Sequence, residues 1–355
     1  MLTLTQSWTV SAVPLSPDLD AADDGARRRY LCNLTLRDSR GVFGCCDLVA
    51  SLHGLLVLEQ RIGLYIVCNP TTRHWTNLLV LAPRPCYIAY PCGFYYHSSS
   101  GEYRLLCHGK EAAPSRRWQH YCYDDDEYYY YILSAGSALP RRHAPAPFPP
   151  DRRPFLVGLS YEVPVAHRGV LYWLRDHPNA TRTGKMLAFR TDSETFRLMS
   201  PPPPMMTTGD VQAALLLELD DDDGALCALA MQPDGTLLEI WALQDYDDYH
   251  NNDTTSWTLR HRVVLPPPPP MPMPYPPDRF VLTGAVSAGG GTILIRGNIC
   301  SRVLRLCHLK ERKVKQMEMH STPTLLPFTE SLIPHDFFHK DAPRCPDLAP
   351  IKFAD

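Results

Sequence analysis

The chain has 355 residues, which is enough for one large all-β domain or for two or three domains of average size. Apolar residues make up 45% of it and the formal net charge is −3, so disorder throughout, a dedicated nucleic-acid partner and an anionic membrane partner are not expected. No apolar run reaches the ~18 residues of a membrane span, and the first residues do not read as a signal peptide. The chain is therefore expected in the cytoplasm or nucleus, with its 12 cysteines mostly reduced and buried.

The first predicted element begins near residue 28. Residues 1–27 contain Pro14, Pro17 and an acidic run and show no helical apolar stripe, so they are predicted to be irregular. From residue 28 to about residue 335, short apolar runs alternate with turn residues, as is typical of buried strands. The clearest predicted strands are, in chain order, residues 55–58, 64–68, 215–219, 237–243, 257–265 and 292–295. No convincing amphipathic helix is found, and residues 336–355 are predicted to form an irregular tail.

A loose repeat runs along the predicted domain. A glycine opens an apolar strand at four places, and a second apolar strand follows each after a short polar turn: Gly54, Gly169, Gly224 and Gly291. Units of roughly 45 to 70 residues with about four strands are typical of propeller blades. We predict an all-β, β-propeller-like (kelch-like) domain over residues 28–335, with six blades, or five, or an incomplete ring. Because a closed ring removes exposed strand edges, residues 29–36 are predicted to pair with a C-terminal strand near residues 317–320.

Several segments, in order, resemble the plant F-box-associated domain family. Residues 48–56, ending in Gly54-Leu-Leu, and then Asn69-Pro70-Thr-Thr-Arg-His-Trp75 resemble its "GLL" and "NP-T-R-W" segments. Residues 93–104, 169–197, 240–257 and 328–333 resemble later segments of the family. The residues that carry the motif are Gly54, Asn69, Pro70, Trp75, Trp173 and Trp241. Turn formation is the expected role of Asn69 and Pro70, and core packing is that of Trp75 and Trp173.

The resemblance implies a non-enzymatic protein-interaction domain, similar to the substrate-recognition part of F-box ubiquitin-ligase receptors, with an unknown protein target. In that family a helical F-box precedes this domain. Residues 1–27 show no such helix, so the F-box is expected to be missing. The chain alone is then not expected to bind the adaptor of the cullin-RING ligase.

Motifs of catalysis and of cofactor binding are not found in the sequence. There is no G-x-S-x-G, H-E-x-x-H, Walker or G-x-G-x-x-G pattern and no C-x-x-C pair. Residues 220–224 (Asp-Asp-Asp-Asp-Gly) lack the EF-hand spacing and are read as a hairpin tip. No catalytic, metal-binding or cofactor-binding residue is predicted. The alternatives are a propeller enzyme of the galactose-oxidase type with copper, a degenerate gene fragment, and a proline-rich ligand segment at residues 266–277.

A binding face is expected on long or charged loops, because propeller strands are used for packing. The candidate loops are residues 111–117, 141–153 and 245–253. Arginine and tyrosine are frequent at binding hot spots, so the predicted partner-binding residues are Arg152, Arg153, Tyr246 and Tyr249.

Overall fold

A computed structural model provides the structure of the chain. The residues it describes are 2–4, 9–12, 29–33, 35–37, 43–45, 47–61, 64–78, 87–111, 128–135, 141–142, 163–174, 185–205, 213–220, 224–232, 235–244, 256–266, 282–297, 303–319, 322–338 and 352–353.

Five antiparallel sheets of four strands each follow one another along the chain, and we name them blades 1 to 5. In every blade the strands are neighbours in sequence order, so that hairpins connect them. Blade 1 comprises β6 (Asp47–Leu52), β7 (Leu55–Arg61), β8 (Leu64–Asn69) and β9 (His74–Asn77). Blade 2 comprises β10 (Tyr87–His97), β11 (Glu102–Glu111), β12 (Tyr128–Ser134) and β13 (Arg141–Arg142). Blade 3 comprises β14 (Val165–His167), β15 (Val170–Trp173), β16 (Met186–Arg190) and β17 (Thr195–Met199). Blade 4 comprises β18 (Ala213–Leu219), β19 (Ala225–Met231), β20 (Leu237–Leu243) and β21 (Trp257–Val264). Blade 5 comprises β22 (Leu282–Gly289), β23 (Thr292–Gly297), β24 (Val303–His308) and β25 (Lys313–Glu318).

A further sheet combines both ends of the chain, and we name it the composite sheet. Its five strands lie in the order β26 (Thr322–Pro323), β1 (Leu2–Leu4), β2 (Thr9–Ala12), β3 (Arg29–Asn33) and β27 (Lys352–Phe353). The remaining strands, β4 (Thr35–Arg37) and β5 (Phe43–Cys45), form a separate hairpin. The structure therefore has five four-stranded blades rather than six, and five is one of the numbers that the sequence left open.

Closure by the two chain ends is confirmed, but the predicted strand pairing is wrong. Residues 317–318 lie in β25, which pairs with β24 inside blade 5. The ends meet instead through β26 with β1 and through β27 with β3. Residues 1–27, predicted to be irregular, contain β1 and β2, and residues 336–355 contain β27. Strands of two to four residues are too short to produce a recognisable alternation of apolar and polar residues.

Apolar contacts between consecutive sheets explain the propeller arrangement. Separate buried clusters join blades 1 and 2, blades 2 and 3, blades 3 and 4, and blades 4 and 5. Another joins the composite sheet to blade 1, and Leu325, just beyond β26, packs with blade 5. Each sheet therefore buries both faces against its neighbours, and the chain folds as an all-β propeller.

Local sequence patterns account for the individual strands. In β21 the predicted alternation is observed, because Trp257, Leu259 and Val263 are more buried than Thr258, Arg260 and Arg262. The inner strand β19 is buried at every residue, as its continuous apolar sequence predicts. The four glycines of the predicted repeat each lie immediately before the second strand of a blade.

Helix is almost absent from the described residues, which contain two short 3₁₀ helices, Pro203–Met205 and Asp336–Phe338. Within the same residues, no helix has the length and apolar character needed to cross a membrane.

Candidate functional site

The predicted partner-binding residues lie outside the described part of the chain. This applies to Arg152, Arg153, Tyr246 and Tyr249, and to most of the three loops proposed to project. Only Glu111, at the end of β11, and the two arginines of β13 belong to the described residues of these loops. Their role in binding stays a prediction.

The motif residues are described, and they occupy structural positions. Gly54, Asn69, Pro70 and Trp75 belong to blade 1, Trp173 to blade 3 and Trp241 to blade 4. Gly54 and Asn69 both contact one C-terminal segment. We name this segment, residues 329–338, the latch.

Gly54 lies in the first turn of blade 1, at a point where the latch approaches the backbone. Its φ is +82°, and a Cβ placed there would lie 2.4 Å from the Cβ of Ser331 and 3.1 Å from the carbonyl oxygen of Thr329. Only glycine combines this backbone conformation with this close approach. The glycine is therefore required by a contact with a residue 277 positions later in the chain.

Asn69 holds the same part of the latch from the third turn of blade 1, between β8 and β9. Its Nδ2 donates a hydrogen bond of 2.9 Å to the backbone carbonyl of Ser331. Its Oδ1 accepts from the backbone N–H groups of Thr71 and Thr72, at 2.9 and 3.2 Å. The side chain is fully buried, so these bonds compensate its removal from water. The predicted turn chemistry of Asn69 is confirmed, and the bond to the latch is an additional role.

Aromatic side chains fix the other end of the latch. The Phe337 side chain is buried in the apolar cluster between blades 1 and 2, and Phe338 packs 5.9 Å from the His74 ring in blade 1. His335 stacks on Phe337 at 5.1 Å and meets the edge of Tyr103 at 5.2 Å. Burial, and then the neighbouring His53, lower the pKa of His335 below its usual range. Nε2 of His335 is buried and has no hydrogen-bond partner among the described residues.

An exposed apolar patch lies on and beside the latch. Leu332 and Ile333 are 77% and 63% exposed although the residues on both sides of them are anchored. Tyr96, which is 39% exposed, lies 5.1 Å from the Tyr103 ring and 6.3 Å from that of His53. Tyr103 also lies 5.2 Å from the His335 ring of the latch, so Tyr96 and the latch are connected through Tyr103. We name Tyr96, Leu332 and Ile333 together the exposed patch. Its members are held on a fixed backbone and present apolar surface to the solvent.

A buried ionic network connects blades 2 and 3 close to this patch. Glu194, in the last turn of blade 3, accepts a hydrogen bond of 2.7 Å from the Tyr95 hydroxyl. Its carboxylate also forms an ion pair with Arg104, in which the Oε1–Nη1 distance is 2.5 Å. Arg104 also binds Glu102, and this hydrogen bond lowers the pKa of the Glu102 carboxyl. Charge-assisted hydrogen bonds between blades 2 and 3 therefore hold the backbone next to the exposed patch in place.

The predicted core tryptophans pack between sheets. Trp75 contacts the cluster shared by blade 1 and the composite sheet, and Trp173 belongs to the cluster between blades 2 and 3. The Trp173 indole N–H donates to the carbonyl of Cys92 at 3.2 Å. The Trp241 indole N–H lies 3.3 Å from a Glu239 carboxylate oxygen in the same strand. Packing is confirmed for Trp75 and Trp173, and Trp241 is only half-buried.

Sequence reasoning missed the latch beyond residue 333. It assigned Phe337 and Phe338 to an irregular tail, although two adjacent phenylalanines are an apolar signal that favours a packed segment. The network around Glu194 was also missed, because its partners lie on another blade and no local pattern connects them.

The described residues contain no group of three or more His, Cys, Asp or Glu side chains arranged to hold a metal ion. Two of the buried cysteines, Cys32 and Cys307, have pKa values raised to about 12 by burial, so their thiols are protonated at neutral pH.

Comparisons with known proteins give fold neighbours only. No family model and no curated protein matches the chain. Among solved structures, it is similar to an oligogalacturonate lyase from Vibrio parahaemolyticus, with 11% identity and a TM-score of 0.45 over 90% of this chain and 79% of that one. It is also similar to Porphyromonas gingivalis dipeptidyl peptidase 4 (10% identity, TM-score 0.24, 78% of this chain and 40% of that one). A third is a GH43 β-1,3-galactosidase with galactodeoxynojirimycin (13% identity, TM-score 0.25, 81% and 80%). Likeness at this level carries no argument about activity.

Proposed function

We propose that the chain is a protein-interaction domain that binds a protein target through the exposed patch. The observation that carries this proposal is the pair Leu332 and Ile333, which are exposed on a segment anchored at both ends. An ordered apolar surface loses little conformational entropy on binding, and so more of its contact energy is available for affinity.

The distribution of exposed apolar side chains supports this assignment. Single exposed apolar residues are common on protein surfaces and need no explanation. Among the described residues five large apolar side chains are exposed, and three of them are Tyr96, Leu332 and Ile333. Such grouping is typical of interaction sites, where a buried aromatic or aliphatic centre is surrounded by polar groups.

A surface variant tests the proposal directly. Leu332→Asp combined with Ile333→Asp places two charges where a target would have to remove water from them. We expect target binding to weaken by at least about tenfold, and stability to change by less than about 0.5 kcal/mol, because both positions are exposed. Capture of proteins from extract, quantified by mass spectrometry alongside the melting temperature, measures both effects.

The matched control is Val163→Asp combined with Val264→Asp, which also introduces two aspartates, at valines that are 53% and 74% exposed. We expect this control to retain the captured proteins. If Leu332→Asp with Ile333→Asp captures the same set as the wild type, or if the valine control loses that set equally, the exposed patch is not the binding surface.

The finer proposal is that the target is a ubiquitylation substrate, as the resemblance to F-box receptors suggests. Fusing an F-box to the chain should then lower the cellular level of the captured target. The same fusion carrying Leu332→Asp and Ile333→Asp should leave that level unchanged. A target that is captured but not degraded by the first fusion would leave the interaction intact and overturn the receptor-like role.

A further inference from the structure

The latch contacts blades 1 and 2 in the way that a separate peptide would. Within the described part of the chain, residues 329–338 belong to none of the sheets. Two backbone N–H groups are bonded inside the latch instead: that of Ile333 donates to the Ser331 hydroxyl at 3.2 Å, and that of Phe338 donates to the His335 carbonyl at 3.0 Å. The latch therefore has a local structure of its own, and side chains of the blades hold it.

Blade 1 holds the first half of the latch by its backbone. The Asn69 amide donates to the carbonyl oxygen of Ser331, an acceptor that every amino acid presents at that position. Gly54 has no side chain, so the latch backbone approaches the blade closely at the same place. Peptide-binding sites that use main-chain hydrogen bonds for affinity recognise their ligands in the same way.

Blades 1 and 2 hold the second half of the latch by an aromatic anchor. The Phe337 side chain is buried in the cluster between the two blades, with its ring 6.0 Å from that of Tyr103. Phe338 packs on His74 beside it, at 5.9 Å. Buried aromatic side chains are the usual centres of protein interfaces. We name the surface that receives both halves the latch groove, and its residues are Gly54, Asn69, His74 and Tyr103.

The latch fills this groove imperfectly. Two buried polar atoms have no hydrogen-bond partner among the described residues: Nε2 of His335 in the latch, and Oγ1 of Thr71 in the turn that begins at Asn69. A buried polar atom without a partner destabilises the arrangement that contains it. Leu332 and Ile333 add little contact with the groove, because both are exposed. A segment without the unpaired nitrogen would therefore bind the latch groove more tightly than the latch does.

We propose that the latch groove is a peptide-binding site, which the chain's own latch occupies until a segment of a partner protein displaces it. The partner segment presents a backbone carbonyl to Asn69 and an aromatic side chain six positions later, which is the spacing of Ser331 and Phe337. This site does not depend on the function proposed for the exposed patch, because Leu332 and Ile333 are not part of the groove.

Fluorescence anisotropy of a labelled synthetic peptide of residues 329–338 tests the proposal on the full chain. Phe337→Ala in the protein weakens the tethered latch and leaves the residues of the latch groove unchanged. The latch of the wild type is docked at an effective concentration of about 1 mM, so we expect this variant to bind the free peptide with a dissociation constant below about 1 mM. The wild type should bind it at least about tenfold more weakly, because its own latch competes.

A milder variant serves if Phe337→Ala gives no cooperative thermal transition. Phe338 is only partly buried, so Phe338→Ala should loosen the latch and keep the fold. We expect it to bind the peptide at least about threefold more tightly than the wild type does.

Variants of the peptide test the fit without any change to the protein. Phe337→Ala in the peptide should weaken binding by at least about tenfold, because the aromatic anchor is lost. His335→Phe in the peptide removes the unpaired Nε2 and should strengthen binding by about fivefold. Thr329→Ala is the control, and it should leave binding unchanged because the Thr329 side chain is exposed.

Three results would overturn the proposal. The first is that the peptide binds neither protein variant, or binds the variants and the wild type equally. The second is equal binding of the unaltered peptide and its Phe337→Ala form, which would place the peptide outside the latch groove. The third is a His335→Phe peptide that binds no more tightly, which would contradict displacement by a better fit. No target of the exposed patch is present in this assay, so these results leave the function proposed for that patch unaffected.

Discussion

The close approach of Gly54 to Ser331 means that the position of the latch depends on the residue at position 54. Replacing Gly54 with alanine puts a side chain into a left-handed backbone conformation and into the space occupied by Ser331. We expect Gly54→Ala to lower the free energy of unfolding by about 2–4 kcal/mol, the sum of backbone strain and overpacking. Urea denaturation measures this change.

The chain supplies a control that separates these two causes. Gly290 also has a left-handed φ, +60°, but a Cβ there would meet nothing within 4 Å. Gly290→Ala should therefore cost only the strain, about 1–2 kcal/mol. Equal losses in the two variants would show that the close approach of the latch to Gly54 contributes nothing to stability.

Among the elements, the latch differs from the strands because side chains, rather than a ladder of backbone hydrogen bonds, hold it. Its anchors are the Asn69 hydrogen bond at one end and the aromatic contacts of His335 and Phe337 at the other. Removing one side chain can therefore release the latch without unfolding a blade. Loss of the latch would also remove Leu332 and Ile333 from the exposed patch, so latch stability and target binding are expected to change together.

Acidification is expected to loosen the latch. The groups that face His335 are His53 from the first turn of blade 1, Tyr103 from β11, and Asp336 in its own 3₁₀ helix. The pKa of His335 is lowered in the folded state, chiefly by burial, so the unfolded chain binds the proton more readily. This stabilising contribution is complete above about pH 6.5, the unfolded pKa of histidine, and is lost as pH falls through the lower folded value.

His335→Phe tests this dependence, because phenylalanine keeps the ring stacked on Phe337 but cannot take up a proton. When the pH is lowered from about 7.5 to about 5.5, the melting temperature of the wild type should fall further than that of the variant. His74→Phe is the control, since His74 packs on Phe338 at the same end of the latch. Identical pH dependence in the wild type and His335→Phe would exclude His335 as the responsible group.

For the molecule as a whole, the sequence predicts what is local and repeated, and fails where the fold joins distant parts. The alternation in β21 and the glycine before the second strand of each blade are visible in a few adjacent residues. Asn69 can be recognised as a turn residue, but its partner Ser331 is 262 positions away and nothing near either residue indicates the other. The same holds for β26 and β1, whose pairing involves strands of two and three residues at opposite ends of the chain.

Closure of the ring by the composite sheet makes the N-terminal strands essential to the stability of the propeller. Leu2, Val10 and Leu31 pack in one cluster with residues of blade 1, and burial of each such side chain contributes about 1.5–3 kcal/mol. The sum, about 5–9 kcal/mol, is comparable with the total stability of a typical folded protein, about 5–15 kcal/mol. Deleting residues 1–36 should therefore abolish the cooperative thermal transition rather than merely shorten the domain.

Adding the missing strands in trans provides the control for that deletion. A synthetic peptide of residues 1–36 should restore a cooperative transition to the truncated chain, because β26 and blade 1 would regain their partners β1, β2 and β3. A scrambled peptide of the same composition should not. A truncated chain that melts at the wild-type temperature without any peptide would show that the composite sheet does not close the ring in solution.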